Sequence, residues 1–192
     1  MNKPKVNFST LICSFVALFA MSICSKVIAS DVTFEEIDWI ELMPREDLAV
    51  LLDPPNFLLG IEDGSEEDNM QTLSAKSKMD DKAKRFNEVL KSERIIKEFD
   101  GRNIRIPGFI VPLTSNNERE VVEFFIVPYF GACLHLPPPP PNQIIFGQWA
   151  DGIELSDLSA PLWFEGKINI EKNSNEMGTS AYKLNLINVM PY

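Results

Sequence analysis

From Ile95 onward the apolar period becomes two in a series of short segments, a period that β-strands bury on one face. Ile95 to Phe99, a tight turn at Asp100-Gly101, and Asn103 to Leu113 read as strand, turn and strand. Pro107 and Gly108 interrupt the second of these and predict a bulge or an edge. Val121 to Val127 and Gln143 to Trp149 supply two more strands. Leu162, Phe164, Gly166, Ile168 and Ile170 alternate with Trp163, Glu165, Lys167 and Asn169, the pattern of a half-buried strand. Tyr182, Leu184 and Leu186 mark the last strand, closing at Tyr192. Short strands with little helix between them predict a mainly β fold. We expect a small antiparallel barrel of the oligonucleotide/oligosaccharide-binding (OB) type, with a β-sandwich as the alternative. Such a shape hosts many functions and implies none.

Upstream of the strands the period changes. Ala83, Phe86, Val89 and Leu90 recur at helical spacing after Asp80 and Asp81, whose charges favour a helix N-terminus. Glu46 to Leu52 predicts a shorter helix, stopped by Pro54-Pro55. Before it, Ile37-Asp38-Trp39-Ile40-Glu41-Leu42 carries a tryptophan whose bulk favours docking on the core. Between these segments, Glu62, Asp63, Glu66, Glu67 and Asp68 lack the alternating ligand spacing of a calcium loop and read as a solvated linker. The expected organisation is a leader over 1–29, an N-terminal segment over 30–78, and a helix plus barrel over 79–192.

The leader reads as a secretory signal. Lys3 and Lys5 precede an apolar run from Leu11 to Ile23, and Val27-Ile28-Ala29 offers small residues for cleavage. The run is short for a membrane span, which needs about 20 residues. Ile23 before Cys24 does not suit a lipoprotein signal, which wants a small side chain there. The expected product is periplasmic, with no membrane insertion after cleavage. Removing Lys3, Lys5 and Lys26 and no acid takes the net charge from −10 to −13. That balance argues against nucleic acid and anionic membrane surfaces, which attract basic patches. Cleavage also removes Cys13 and Cys24, so Cys133 is left without a disulfide partner in the same chain.

Chemistry-bearing residues concentrate in one stretch. Phe130-Gly131-Ala132-Cys133-Leu134-His135-Leu136 holds the single histidine and runs into Pro137, Pro138, Pro139, Pro140 and Pro141, then Asn142 and Gln143. In an extended segment Cys133 and His135 share a face, and a thiolate beside an imidazole suits zinc or copper. Two ligands are too few for zinc, so a carboxylate, with Glu123 and the acidic linker as candidates, or a second chain would have to complete the set. Methionines such as Met70, Met79 or Met177 could serve copper, although nothing in their spacing argues for it. The prolines form a stiff rod without amide donors, which can brace the pair or present a surface to a partner.

Gly101-Arg102-Asn103-Ile104-Arg105-Ile106-Pro107-Gly108-Phe109-Ile110-Val111-Pro112-Leu113, then Glu123-Phe124-Phe125-Ile126-Val127-Pro128-Tyr129-Phe130-Gly131-Ala132-Cys133, His135, the prolines and Asn142-Gln143 carry a family likeness. Together they resemble the bacterial exported family catalogued as domain of unknown function 3299. The resemblance extends loosely to the Trp39 segment and to Gly178–Tyr192. The family's β-branched residues on either side of the histidine are replaced here by Leu134 and Leu136. It implies association with an ABC transporter or another envelope protein, and with zinc handling. Three readings stay open on these residues. One is a soft-metal or partner-binding accessory protein. The second is an interaction module built on the prolines, and the third is an enzyme using Cys133 as nucleophile with His135 lowering its pKa.

Overall fold

The computed structural model describes residues 32–62, 64–78, 80–132 and 137–192. The expected leader over 1–29 therefore lies outside the described residues, as do Met79, Cys133 and His135. Among the described residues six strands carry the fold: β1 (Glu35–Glu36), β2 (Asn103–Ser115), β3 (Val121–Val127), β4 (Ile145–Ile153), β5 (Leu162–Asn175) and β6 (Gly178–Pro191). They hydrogen-bond in the order β1-β2-β3-β4-β6-β5, and β5 pairs back onto β2. That last pairing closes five strands into a small barrel, which leaves no long free sheet edge around the ring. Thr33–Tyr192 forms one compact unit.

The barrel is mixed rather than antiparallel. β4 runs parallel to β6, with Ile145 opposite Tyr182 and Gly147 opposite Leu184, and β1 runs parallel to β2. Alternation along a strand reports which face is buried, not the direction of its neighbour, so sequence period could not distinguish the two.

β2 is the strand that makes closure possible. Asn103 to Gly108 pair with β5, and Phe109 to Ser115 pair with β3. Pro107 and Gly108 sit where the partner changes. Trp39 Nε1 donates to the Pro107 carbonyl at 2.7 Å. A residue's N and C=O point to the same strand edge, so the missing N–H of Pro107 faces Trp39 and costs the β5 ladder nothing. A Cβ on Gly108 would lie 2.7 Å from an Ile126 methyl, 3.0 Å from the Val127 carbonyl oxygen and 3.3 Å from the Trp39 ring, so glycine is what lets β3 and, less tightly, the indole come this close. The predicted edge is thus present at Pro107, while the register shifts of β2 against β3 fall later, between Pro112 and Ser115.

Inside the ring, Ile104, Ile106, Phe124, Ile126, Ile145, Phe164, Ile168, Tyr182 and Leu184 form the main core. Among the described residues three α-helices precede the barrel: α1 (Arg45–Leu51), α2 (Met70–Lys76) and α3 (Asp81–Val89). Asp80 caps α3 by accepting from Lys82 N at 2.9 Å, and Ala83, Phe86 and Val89 form its buried stripe. Leu73 of α2 packs with Phe86 and Leu90 in a separate small core. Helix α2, capped by Asn69, follows directly on the acidic turns and was not evident from the sequence pattern. Ile95–Phe99 is not a strand. Lys97–Phe99 forms a 3-10 turn, because the amide of Ile96 is bonded to the Tyr182 hydroxyl rather than to a strand.

Tyr182 ties these parts together. Its buried hydroxyl accepts from Ile96 N at 2.8 Å and donates to Leu42 O at 2.9 Å. Burial first, and the negative charge of Glu98 second, push its pKa from 10.0 up to about 12, against the opposing Ile96 bond. Folding therefore favours the neutral phenol, and its contribution is complete below pH 10.0 and is lost as pH rises through about 12. Tyr182→Phe should lower unfolding free energy by ~1–3 kcal/mol in urea at neutral pH. The same variant should also lose less stability than the parent between neutral and strongly alkaline pH.

Candidate functional site

The connection from β3 to β4 is where the sequence concentrates its chemistry, and its flanks are firmly held. Ala132 N donates to Tyr129 O at 3.3 Å, closing a turn in which Gly131 has φ 77°. A turn of this kind requires positive φ at its third residue, which explains the glycine. Ala132 is fully buried. Across the segment, Tyr129 Oη donates to Pro137 O at 3.1 Å. Cys133 and His135 follow from this clipped base.

The proline run continues inward rather than along the surface. Pro139 and Pro140 are buried, while Pro137, Pro138 and Pro141 are half-buried. Pro141–Gln143 forms a 3-10 turn that leads into β4. Asn142 Nδ2 donates to Arg94 O at 2.8 Å, and Gln143 Nε2 donates to Trp39 O at 2.7 Å. Both amide side chains are buried and pin the N-terminal segments to the barrel.

β3 is apolar on both faces. Phe124 and Ile126 point into the barrel, whereas Phe125 and Val127 join Ala132, Ile144 and Phe146 in a second cluster outside it. Phe109, Val111 and Leu113 of β2 pack against that cluster. The result is an apolar outer face bearing two adjoining hollows. The first, about 200 Å³, is lined by Phe109, Val111, Val127, Phe130, Gly131, Leu158 and Met177. The second, about 320 Å³, is lined by Leu113, Thr114, Glu123, Phe146, Asn173, Asn175, Glu176 and Met177. Met177, from the β5–β6 turn, borders both. A larger cleft of about 650 Å³ lies between Ile40, Leu48, Leu52, Ile96 and Phe99 and holds none of the residues singled out above.

Glu123 therefore lies on the same outer face as Val127 and Ala132, but toward its other end. Glu123 is four positions from Val127 along the strand, about 13 Å. Its two oxygens accept from Thr114 Oγ1 and Gln148 Nε2, each at 2.9 Å. Among the described residues no group of three or more His, Cys, Asp and Glu side chains is placed to hold a metal ion. A metal set built on Cys133 and His135 would need a donor nearer Gly131, and Met177 is the donor that lines the same hollow.

A family model described as protein of unknown function (DUF3299) matches residues 39–191. The chain belongs to that family. It is also similar to the crystal structure of a DUF3299 family protein from Pseudomonas aeruginosa PAO1. The two share 29% identity with a TM-score of 0.58, and the match covers 83% of this chain and 97% of that one. No curated protein matches the chain. The matched region spans the barrel strands, the Gly131 turn and the Trp39 segment, so the outer face belongs to the family's shared part.

The apolar lining of the hollows was not singled out from the sequence, although a signal was there. Phe124-Phe125-Ile126-Val127 is a continuous apolar run, the mark of a strand covered on both sides. Gly131→Ala should cost ~1–2 kcal/mol in chemical denaturation, because a side chain opposes positive φ. Gly60→Ala, where nothing lies within 4 Å of the new methyl, should be close to neutral by the same measurement.

Proposed function

We propose that this chain is an exported accessory binding protein, with the outer face of β2, β3 and β4 as its recognition surface. Cys133 and His135 then serve as a soft-metal pair. The observation that carries this reading is the hollow bounded at once by Gly131, two residues before Cys133, and by the exposed thioether of Met177. Thiolate, imidazole and thioether together form a donor set that favours copper(I) over zinc, because thioether sulfur is a poor ligand for the harder ion. Glu123 is the weaker candidate for a third ligand, since it lies about 13 Å along β3 from Val127. The tight turn at Gly131 and the Tyr129–Pro137 clip hold the base of the segment, which lowers the ordering cost of bringing its ligands together.

The partner assigned to such a protein is an ABC transporter or another envelope component that receives the ion, as the family resemblance implies. Among the described residues no helix is long and apolar enough to cross a membrane. The alternative of a polyproline docking module finds less support. Pro139, Pro140, Asn142 and Gln143 face inward, which leaves Pro137, Pro138 and Pro141 as the prolines a partner could touch.

Elemental analysis of protein loaded with copper(I) and, separately, with zinc tests the reading. Near-stoichiometric copper is expected, lost in Cys133→Ser and in His135→Ala and weakened by about tenfold or more in Met177→Leu. Metal-free protein after both loadings would reject the metal function. Zinc retained equally by the Met177 variant would reassign the ion.

A further inference from the structure

The two hollows of the outer face differ in chemistry, and the difference specifies what fits them. The smaller is apolar, with Phe130, Leu158 and Met177 at its rim exposed by 57%, 45% and 49%. Open apolar side chains clustered around a cavity are the usual mark of an interaction surface. Phe130 is further held by its ring contact with Phe109, centroids 6.4 Å apart, so the rim is not a loose side chain. A volume of about 200 Å³ admits one large apolar side chain.

The larger hollow carries two carboxylates, Glu123 and Glu176, with the Asn173 and Asn175 side chains beside them, and no lysine or arginine among its lining residues. Thr114 and Gln148 fix the Glu123 carboxylate in place, yet an ionised carboxylate has about four acceptor sites, so it can still accept from a ligand. Asn175 Oδ1 accepts from the amides of Met177 and Gly178, which orders the turn that bears Glu176. A hollow of this composition attracts a cation and repels an anion. Lys183 stands over the Phe146 ring at 5.9 Å, but its ammonium is paired with Glu171. The whole chain is acidic, with net charge −10, which adds the same long-range preference.

We infer that the outer face binds a peptide segment of a partner protein that carries a large apolar side chain close to a lysine or arginine. The apolar side chain enters the hollow beside Phe130, and the cation enters the one between Glu123 and Glu176, with Met177 as the wall between them. This inference rests on reading the outer face as the recognition surface, and it requires no metal. The peptide is the part of the partner by which the accessory protein would be held.

An array of random short synthetic peptides, probed with metal-free protein in chelator, tests it. The selected peptides should be enriched in an apolar residue followed or preceded within a few positions by Lys or Arg. Fluorescence polarisation on the strongest peptide should then show affinity falling about tenfold in the Glu123→Gln/Glu176→Gln double variant, and falling with added salt more steeply in the parent than in that variant. Phe130→Ala should weaken it independently, without a change in melting temperature. Peptides enriched without a basic residue, or an affinity indifferent to the double variant, would overturn the inference while leaving the face as a recognition surface. No enrichment at all would overturn both.

Discussion

The fold depends on one strand serving two partners. β2 gives Asn103–Gly108 to β5 and Phe109–Ser115 to β3, and without that exchange the sheet would stay open along both edges. The exchange needs a residue that can leave one edge unbonded and a neighbour with no side chain. Pro107 and Gly108 meet those two needs, and the edge they leave free is covered by Trp39. The tryptophan is therefore more than an apolar weight on the core: it replaces a strand at the place where no strand can bond.

A second set of contacts makes the N-terminal segments part of the barrel. Tyr182 from β6 holds Leu42 and Ile96, and Gln143 and Asn142 hold Trp39 and Arg94 through their carbonyls. Each is a buried polar side chain satisfying backbone groups that have no sheet partner, which is the condition for burying irregular backbone at all. Asn142 and Gln143 immediately follow the prolines, so the same contacts set where the proline run ends. Ala132 on one side and Pro139 and Pro140 on the other are buried. Structure and candidate function meet there, because what fixes the N-terminal segment also fixes the base of the Cys133–His135 stretch.

Much of this was legible in the residues. Val121–Val127 coincides with the expected strand, and α3 begins at the expected acidic residues, since both rest on local periods and caps that tertiary contacts did not override. Ile95–Phe99 departed from its pattern because the amide of Ile96 is claimed by a side chain distant in sequence by 86 residues. α2 went unread because its seven residues are too few to show a period and, unlike α1, it is followed by no proline stop. The outer face escaped because apolar residues at outward positions look like core until the barrel places them.

The sequence by itself determined the mainly β character, helices α1 and α3, and the concentration of soft-ligand chemistry around Cys133 and His135. These are local properties, carried by side-chain period, turn residues and composition. The tertiary structure alone decided that β4 and β6 run parallel and that β5 closes on β2. It alone placed Asn142 and Gln143 inward, and Met177 in one hollow with Gly131 and in the next with Glu123. Those are pairings between residues far apart in the chain. No local pattern encodes them, because the energy that selects them comes from closing the barrel and filling its two faces at once.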